Sequence, residues 1–461
     1  MNLSFASNRS KSTPLVILKE TELEVWLKSQ NCTIRNWVTT NGFKAKFTQV
    51  LPIPNSDGLV DFAVMGIGNS TDYARNRFVV AAAVQKLPVT TYRISSEPPL
   101  DQKEIECLGW LLSHYRFDHY KNAKSDFAQL IAPEDIDAKR IEIIANSEVF
   151  IRDLINTPAS EMNPVNLEYE VRKLSEYFGA EIMVVMDETQ LESEFPMIHT
   201  VGRASVHPPR LIDMKWGSHG PSVVLVGKGV CFDTGGLNLK PGSSMNLMKK
   251  DMSGAATVLG LAKMIMHLGL AIRLRVLIPA VENSISGNSF RPQDILTSRK
   301  GITVEVNNTD AEGRLILADA LTLADDETPD LLISMATLTG SARVAVGPDI
   351  APFFCDNDQD ALIITEAGAR VADPVWRMPF HTPYEEMIEP ITADLDNAPS
   401  GSFAGSITAA LFLRRFVTNT PRFIHFDIFG WQPKSAPGQP EGGVGQGARA
   451  LLEALPRLLD L

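Results

Sequence analysis

The segment from Val223 to Gly254 constrains the fold of this chain more than any other. It begins with four consecutive apolar residues, Val223 to Val226, which are bounded by Gly227 and Gly229. A short apolar run that ends in a glycine-rich turn is typical of a buried parallel strand, and open α/β sheets bind ligands at the carboxyl ends of such strands. An apolar helical pattern starts near Ser253. We therefore expect an α/β sheet with a functional site where this strand ends.

Two segments of mostly apolar character contain the ionisable residues that we single out as a candidate site. Buried ionised groups are costly unless they are paired, bound to metal or used in catalysis. None of the eight histidines lies in either segment, so carboxylate oxygens dominate, and these suit divalent cations such as Mg²⁺, Mn²⁺ or Zn²⁺. Four carboxylates balance the charge of two such ions, which indicates a two-metal site. The residues are Lys228, Asp233, Lys240 and Asp251 in the first segment, and Asp310, Glu312 and Arg314 after a strand-like run at Thr303 to Val306.

Lys228, Lys240 and Arg314 fit such a site. Adjacent metal ions would depress the pKa of Lys228, whose neutral amine is then a possible nitrogen ligand. Lys240 and Arg314, if charged, would polarise a substrate carbonyl or hold an anion.

Simpler interpretations of the same residues remain open from the sequence alone. Asp251 precedes an apolar helix and has the position of a cap or first-turn acid, and Thr309 to Glu312 fits a capping box. Lys228 between two glycines is also compatible with a lysine that cradles phosphate, although the stretch lacks the full phosphate-loop pattern.

The length of 461 residues and a hydrophobic content of 44% predict two domains with cores of their own. Alternating strand-like and helical runs predict a smaller α/β domain over residues 1–135. An amphipathic helix over 136–156 would connect it to the larger domain, residues 157–461. There the βαβ rhythm predicts a mixed, largely parallel sheet flanked by helices.

Net charge and hydropathy indicate where the protein acts in the cell and argue against nucleic-acid and membrane-surface binding. The formal charge of −12 argues against a general nucleic-acid or membrane-surface binder, and the slight basic excess of residues 1–130 is too small to change that conclusion. No apolar run reaches the length of a membrane span, and the first residues lack the apolar core of a signal peptide. We expect a cytoplasmic protein.

Both site segments match the signature of a known family. The pattern Lys-x4-Asp-x6-Lys-x10-Asp formed by Lys228, Asp233, Lys240 and Asp251, followed by Asn-Thr-Asp-Ala-Glu-Gly-Arg-Leu at Asn308 to Leu315, resembles the leucyl aminopeptidase family (cytosol aminopeptidases, peptidase family M17). The resemblance extends over about residues 150–450. It implies a metal-dependent aminopeptidase that removes the N-terminal residue of peptides with a free amine, with a metal-bridging water as nucleophile.

The resemblance also implies roles for the matching residues and an assembly. One metal ion would be held by Lys228, Asp233, Asp251 and Glu312, and the other by Asp233, Asp310 (side chain and backbone carbonyl) and Glu312. Lys240 would polarise the scissile carbonyl, and Arg314 would hold a bicarbonate that acts as general base. Family members form hexamers and use Zn²⁺ or Mn²⁺, with Mg²⁺ a further option. The positions that resemble the substrate pocket are Met248, Thr337, Leu338 and Gly340.

Two other functions are compatible with parts of the pattern. A dinuclear phosphoesterase could use the same carboxylates, but the absence of histidines among the candidate ligands argues against it. A DNA-binding or scaffolding protein that kept the fold would not need catalysis. The complete set of candidate ligands, together with Lys240 and Arg314, argues against that second alternative.

Overall fold

The structure is a computed structural model that describes residues 2–95, 102–121 and 126–461. It divides into two compact units, Met1–Val149 with Lys434–Glu441, and Phe150–Pro433 with Gly442–Leu461.

The first unit contains a five-stranded sheet in the order β2-β3-β1-β4-β5, in which β1 is parallel to both of its neighbours, β3 and β4. Helix α3 ends where Asn76 adopts an extended backbone, and a 3-10 turn at Val80–Ala83 follows. The helical pattern in the sequence from Tyr73 to Gln85 therefore does not form a single helix. The strands are β1 Thr13–Lys19, β2 Val50–Pro54, β3 Val60–Gly68, β4 Thr91–Ile94 and β5 Gln129–Leu130, and the helices α1 Leu23–Ser29, α2 Cys32–Thr40, α3 Ser70–Arg75, α4 Lys103–Leu112 and α5 Ala138–Asn156, the last of which continues into the second unit.

The second unit is larger and is built on a nine-stranded mixed sheet. Its strands are β6 Glu181–Val185, β7 Arg210–Trp216, β8 Ser222–Gly227, β9 Gly229–Asp233, β10 Arg273–Asn283, β13 Leu331–Ala336, β14 Ala351–Cys355, β15 Val375–Met378 and β17 Phe423–Asp427. Shorter strands form two small sheets, β11 Ile295–Thr297 with β12 Thr303–Glu305 and β16 Leu395–Asp396, and β18 Trp431–Gln432 with β19 Gly442–Gly443.

Helices accompany this sheet along the chain. They are α6 Pro164–Phe178, α7 Glu188–Glu194, α8 Pro196–Gly202, α9 Gly242–Met245, α10 Ser253–Leu268, α11 Glu312–Asp325, α12 Gly340–Val346, α13 Asp358–Arg370, α14 Gly405–Arg414 and α15 Ala448–Leu458. Further 3-10 turns lie at Met248–Met252 and Thr382–Ile388.

The strand order is β15-β14-β17-β13-β8-β10-β7-β6, and β9 extends the pairing along β10. Strands β17, β13, β8 and β10 run parallel to one another, whereas β7, β6 and β14 each pair with a neighbour in the antiparallel direction. Parallel strands place their carboxyl ends at one edge, where loops collect functional residues. The predicted fold class, a mixed and largely parallel sheet flanked by helices beside a smaller α/β domain, is confirmed.

The two helices nearest the site are buried on almost every side. Helix α10 and helix α11 are apolar around most of their circumference, as expected for helices in the interior of a large domain. Gly254 permits the close approach of α10 to β13, because a Cβ there would lie 2.2 Å from the carbonyl oxygen of Met335. The start of α10 is therefore fixed against the end of a central strand.

One part of the predicted βαβ rhythm is wrong. Strand β12 does not join the main sheet but pairs with β11 and β16 in a three-stranded sheet of its own. Only Val304 of its three residues is fully buried, whereas Val223 to Val226 of β8 are all buried. Such a short strand does not supply the apolar surface that a central position requires.

Among the described residues, no helix combines the length and the apolar character that crossing a bilayer requires.

Candidate metal centre

The site forms where loops leave the carboxyl ends of the central strands. Lys228 joins β8 to β9, and Asp233 is the last residue of β9. The backbone of Lys228 is fixed on both sides, since its N–H donates to the carbonyl of Met335 at 3.0 Å and its carbonyl accepts from the N–H of Ala255 at 2.9 Å. Asp251 lies in the 3-10 turn Met248–Met252. The local fold therefore brings residues that are distant in sequence to one edge of the sheet.

The ammonium of Lys228 lies among acids. Its Nζ is 2.7 Å from Asp251 Oδ2 and 2.9 Å from Glu312 Oε1, and it donates to the carbonyl of Thr337 at 3.1 Å. Glu312 opens helix α11, and the next residue is Gly313, where a Cβ would lie 2.5 Å from Lys228 Cε. Only glycine at this position leaves room for the lysine side chain.

Asp233 is held by hydrogen bonds as well as by charge. Its Oδ1 accepts from the N–H of Gly235 and from the side-chain amide of Asn283, each at 2.8 Å. Its Oδ2 lies 2.9 Å from the Nζ of Lys240, which is also 2.5 Å from Asp310 Oδ1. Lys240 therefore bridges two acids on one side of the cluster, as Lys228 does on the other.

Three carboxylates are close enough to share a metal ion. Asp233, Asp310 and Glu312 each offer an oxygen within 4.8 Å of the others. Glu312 Oε2 is buried and has no hydrogen-bond partner among the described residues. A buried carboxylate oxygen without a donor is unusual unless a ligand such as a cation completes it.

The cluster contains more acids than lysines, and the pKa values of two of its acids are raised. Burial and the charge of Asp233 raise the pKa of Glu312 to about 8. Burial and the same charge raise the pKa of Asp310 to about 6, although Lys240 opposes the shift. Burial disfavours the charged form of Lys228, but the charges of Asp251, Glu312 and Asp233 outweigh it and raise its pKa. Four acids with two lysines therefore leave an uncompensated negative charge in a largely buried setting.

Arg314 lies in the first turn of α11 and is buried. Its Nε and Nη1 have no hydrogen-bond partner in the described part of the chain, and its guanidinium is 5.9 Å from the ring centre of Phe412. Burial lowers the pKa of Arg314 to about 10, against the charges of Asp427, Glu312 and Asp396, so it stays protonated at neutral pH. An unpaired buried guanidinium is a ready partner for an anion.

A cavity of about 440 Å³ opens onto the cluster. All four positions expected to line a substrate pocket do line it: Met248, Thr337, Leu338 and Gly340. Glu312 and Arg314 are not among its lining residues. The other five predicted site residues line it: Lys228, Asp233, Lys240, Asp251 and Asp310.

The capping interpretations of the acids are wrong. Helix α10 is preceded by Met252, helix α11 by Ala311, and neither helix has a side-chain cap. Asp251 Oδ1 instead accepts a hydrogen bond from Thr337 Oγ1 at 2.7 Å. Thr309 Oγ1 donates to the carbonyl of Gly235 at 2.6 Å, which ties the loop before α11 to the loop after β9.

A second cavity, of about 670 Å³, is larger but has different chemistry. His199, Arg203 and Arg291 line it, and none of the clustered carboxylates does. We place the functional site at the smaller cavity because the buried acids and lysines converge there.

Several residues of the site were not predicted from the sequence. Asn283 ends strand β10 opposite Asp233 and holds its carboxylate. Lys250 and Arg343 line the cavity, and each lies 5.0 Å from the ring of Phe429. Burial lowers the pKa of Lys250 to about 8. A polar residue at a strand end was a usable signal for Asn283, whereas Lys250 is not distinguishable in sequence from its neighbour Lys249.

Comparisons with known proteins identify the family of this chain. Residues 149–452 match the model of the cytosol aminopeptidase family, catalytic domain, and residues 13–133 match that of the M17 aminopeptidase N-terminal domain. A probable cytosol aminopeptidase of Aquifex aeolicus is 35% identical over 90% of this chain and 89% of its own length. A probable cytosol aminopeptidase of Roseiflexus castenholzii is 38% identical over 85% of this chain and 86% of its own.

Solved structures give the same result. The cytosol aminopeptidase of Coxiella burnetii superimposes with a TM-score of 0.93 at 39% identity and covers 98% of both chains. The bottromycin maturation enzyme BotP in complex with Mn has a TM-score of 0.86 at 28% identity over 97% of this chain and 100% of its own. With both of its domains matched, this chain belongs to the cytosol aminopeptidase family, M17, and is a metal-dependent aminopeptidase.

Proposed function

We propose that this chain hydrolyses the N-terminal residue from peptides that carry a free α-amine, using two divalent cations. This proposal rests on the cluster of four acids that form ion pairs with two lysines. Within it, Glu312 Oε2 is buried and has no hydrogen-bond donor among the described residues. Divalent cations would neutralise the excess negative charge and satisfy that oxygen. The donor set therefore fits the metal ions that the family requires.

The residues divide between two positions. Lys228, Asp233, Asp251 and Glu312 would hold one ion, and Asp233, Asp310 and Glu312 the other. When bound, the ions supply Lewis acidity, and they lower the pKa of a bound water so that it is a nucleophile near neutral pH. Lys228 would hold the ion only as the neutral amine, because only that form has a free electron pair.

Lys240 is placed to act on the substrate. It lines the cavity and lies between Asp233 and Asp310. A charged ammonium at this place donates a hydrogen bond to the oxygen of the scissile carbonyl and stabilises the negative charge that develops there. The surrounding acids keep Lys240 protonated, since burial is outweighed by the charges of Asp233 and Glu312, which raise its pKa.

Arg314 would hold a bicarbonate that acts as general base. Its Nε and Nη1 are buried without partners among the described residues, and a planar oxyanion matches the fork of donors that a guanidinium presents. The bicarbonate would accept the proton of the attacking water, and Arg314 would keep it in place.

The preference for a free amine follows from the charge of the cavity. Asp251 and Asp310 both line it, and the excess negative charge of the cluster attracts the α-amine of a peptide. An acetylated N-terminus has neither the charge nor a basic nitrogen. Cleavage would then be restricted to the first residue.

Metal identity, assembly and location complete the proposal. Carboxylates with one amine suit Zn²⁺, Mn²⁺ or Mg²⁺, and the Mn complex of BotP supports Mn²⁺. We infer from the family resemblance that the chain forms a homohexamer. From the names of the relatives we infer that it acts in the cytoplasm. Light scattering of the purified protein tests the hexamer.

The test of the activity uses aminoacyl p-nitroanilides, each with a free and with an acetylated amine. Protein stripped with chelator should cleave neither, and protein refilled with Mn²⁺ or Zn²⁺ should cleave only the free amines. Lys240→Met should lower kcat by about 100-fold or more. Refilled wild-type protein that cleaves no substrate of the panel, or cleaves blocked and free amines equally, contradicts the proposal.

A further inference from the structure

Lys250 has a buried side chain and forms no ion pair with the described residues. The residue is 6% exposed, and among the described residues its Nζ makes no hydrogen bond and has no carboxylate within ion-pairing distance. Its nitrogen lies 5.0 Å from the centre of the Phe429 ring. An ammonium on a buried side chain is costly unless an anion balances its charge. Lys250 lines the cavity of the metal centre.

A second cation faces the same ring. The guanidinium carbon of Arg343, in helix α12, lies 5.0 Å from the centre of the Phe429 ring. Arg343 lines the cavity and, in the part of the chain that the structure describes, forms no ion pair. The interaction of each cation with the aromatic face is favourable but does not replace an anion.

The cavity is therefore lined both by acids that form ion pairs and by cations that do not. Its acids, Asp233, Asp251 and Asp310, are engaged with Lys228 and Lys240. Its remaining cations, Lys250 and Arg343, form no ion pair with any residue that the structure describes. A ligand complementary to both parts has a basic nitrogen for the acids and an anionic group for the two free cations.

We propose that this cavity binds the side-chain carboxylate of an N-terminal aspartate or glutamate residue, with Lys250 and Arg343 as its partners. The assignment rests on the proposed function, in which the α-amine of the peptide is held at the metal centre. Met248, one of the positions that resemble the family's substrate pocket, lines the same cavity and precedes Lys250 by two residues in the same 3-10 turn. The enzyme would accordingly favour acidic N-terminal residues over neutral ones.

The experiment compares substrates that differ in charge but hardly in shape. Refilled wild-type protein is assayed with the p-nitroanilides of Glu and Gln, and of Asp and Asn. We expect kcat/KM for the acidic member to exceed that of its amide at least about tenfold, as a charge-assisted hydrogen bond in a desolvated site would give. Lys250→Met should lower the acid-to-amide ratio by about tenfold, and Arg343→Gln should lower it in the same direction.

A neighbouring lysine supplies the matched control. Lys249 does not line the cavity, and its Nζ donates to the carbonyl of Asn156 at 2.6 Å. Lys249→Met should keep the wild-type ratio. Because Lys250 has no ion pair to lose and its buried charge is costly, Lys250→Met should fold with a melting temperature equal to or above that of the wild type; a marked drop would mean a structural role and would contradict the proposal.

Other outcomes separate this inference from the activity itself. If kcat/KM of the refilled protein is equal for Gln, Leu, Glu and Asp substrates, the activity stands and the assignment of the two cations is wrong. If it cleaves none of them, both proposals fall. The carboxylate could also be the C-terminus of a dipeptide, so Gln-Gly and Gln-Gly-amide are compared as well. A Lys250→Met effect confined to that pair overturns the side-chain assignment.

Discussion

The Nζ of Lys228 lies 2.9 Å from Glu312 Oε1, and both side chains are almost completely buried. A buried charge that loses its partner destabilises a fold by about 3–5 kcal/mol. Lys228→Met should therefore lower the unfolding free energy of the chelator-treated protein by this amount, as measured by urea denaturation.

The control for that variant is a lysine in an exposed ion pair. Lys215 pairs with Glu327 at the surface, where such contacts contribute less than about 1 kcal/mol. Equal losses of stability in Lys215→Met and Lys228→Met would mean that Lys228 does not balance buried charge.

Gly313→Ala tests the space beside Lys228. Alanine in a helix usually stabilises it by up to about 1 kcal/mol, but here the added methyl would lie 2.5 Å from Lys228 Cε. The lysine must shift, so metal affinity should fall by about 10–100-fold, the size of effect seen for residues that position ligands. Calorimetric titration with Mn²⁺ measures it. Gly287→Ala, where the new methyl would meet open space, should bind metal as the wild type does.

Arg314→Gln tests the bicarbonate site. If a bicarbonate held by Arg314 is the general base, wild-type kcat should rise when bicarbonate is added to carbonate-free buffer. The variant should lose that response and about 100-fold in kcat. Arg370→Gln, at an exposed ion pair with Glu453, should respond as the wild type does. A wild-type rate that is independent of bicarbonate contradicts the role.

Metal binding should release protons. The pKa of Glu312 is raised to about 8 and that of Asp310 to about 6, so in the metal-free protein these carboxyls hold protons below those values. A cation must displace these protons, and its apparent affinity should therefore increase as pH rises from about 6 to 8. Calorimetry in two buffers of different ionisation enthalpy counts the protons. An affinity that is flat or falls over this range would contradict the ionisation described here.

The sequence predicted a cluster of acids and lysines because these residues occur in two contiguous segments. The strand before Lys228 is an uninterrupted apolar run, and the spacing of Asp233, Lys240 and Asp251 matched a family pattern that also covers Asp310. These side chains do converge at one edge of the sheet. Their individual roles as ligands or catalysts stay a prediction that the proposed experiments address.

The features that could not be predicted from the sequence depend on tertiary contacts. The run at Thr303 to Val306 has the composition of a buried strand, but pairing with β11 and β16 places β12 in a separate small sheet. Lys250 follows Lys249 in a polar turn, and only packing against Phe429 distinguishes a buried amine from a solvated one. Periodicity and composition carry no information about such packing partners.

The most direct test of the two-metal aminopeptidase is a stepwise titration of chelator-stripped protein with Mn²⁺ in which bound metal and hydrolysis of a free-amine p-nitroanilide are measured together. We predict two bound ions per chain, full activity only at the second, and loss of that binding and activity in Asp233→Asn, since Asp233 is assigned to both positions. Full activity in the stripped protein, or two bound ions without hydrolysis of any free-amine substrate, would contradict the account.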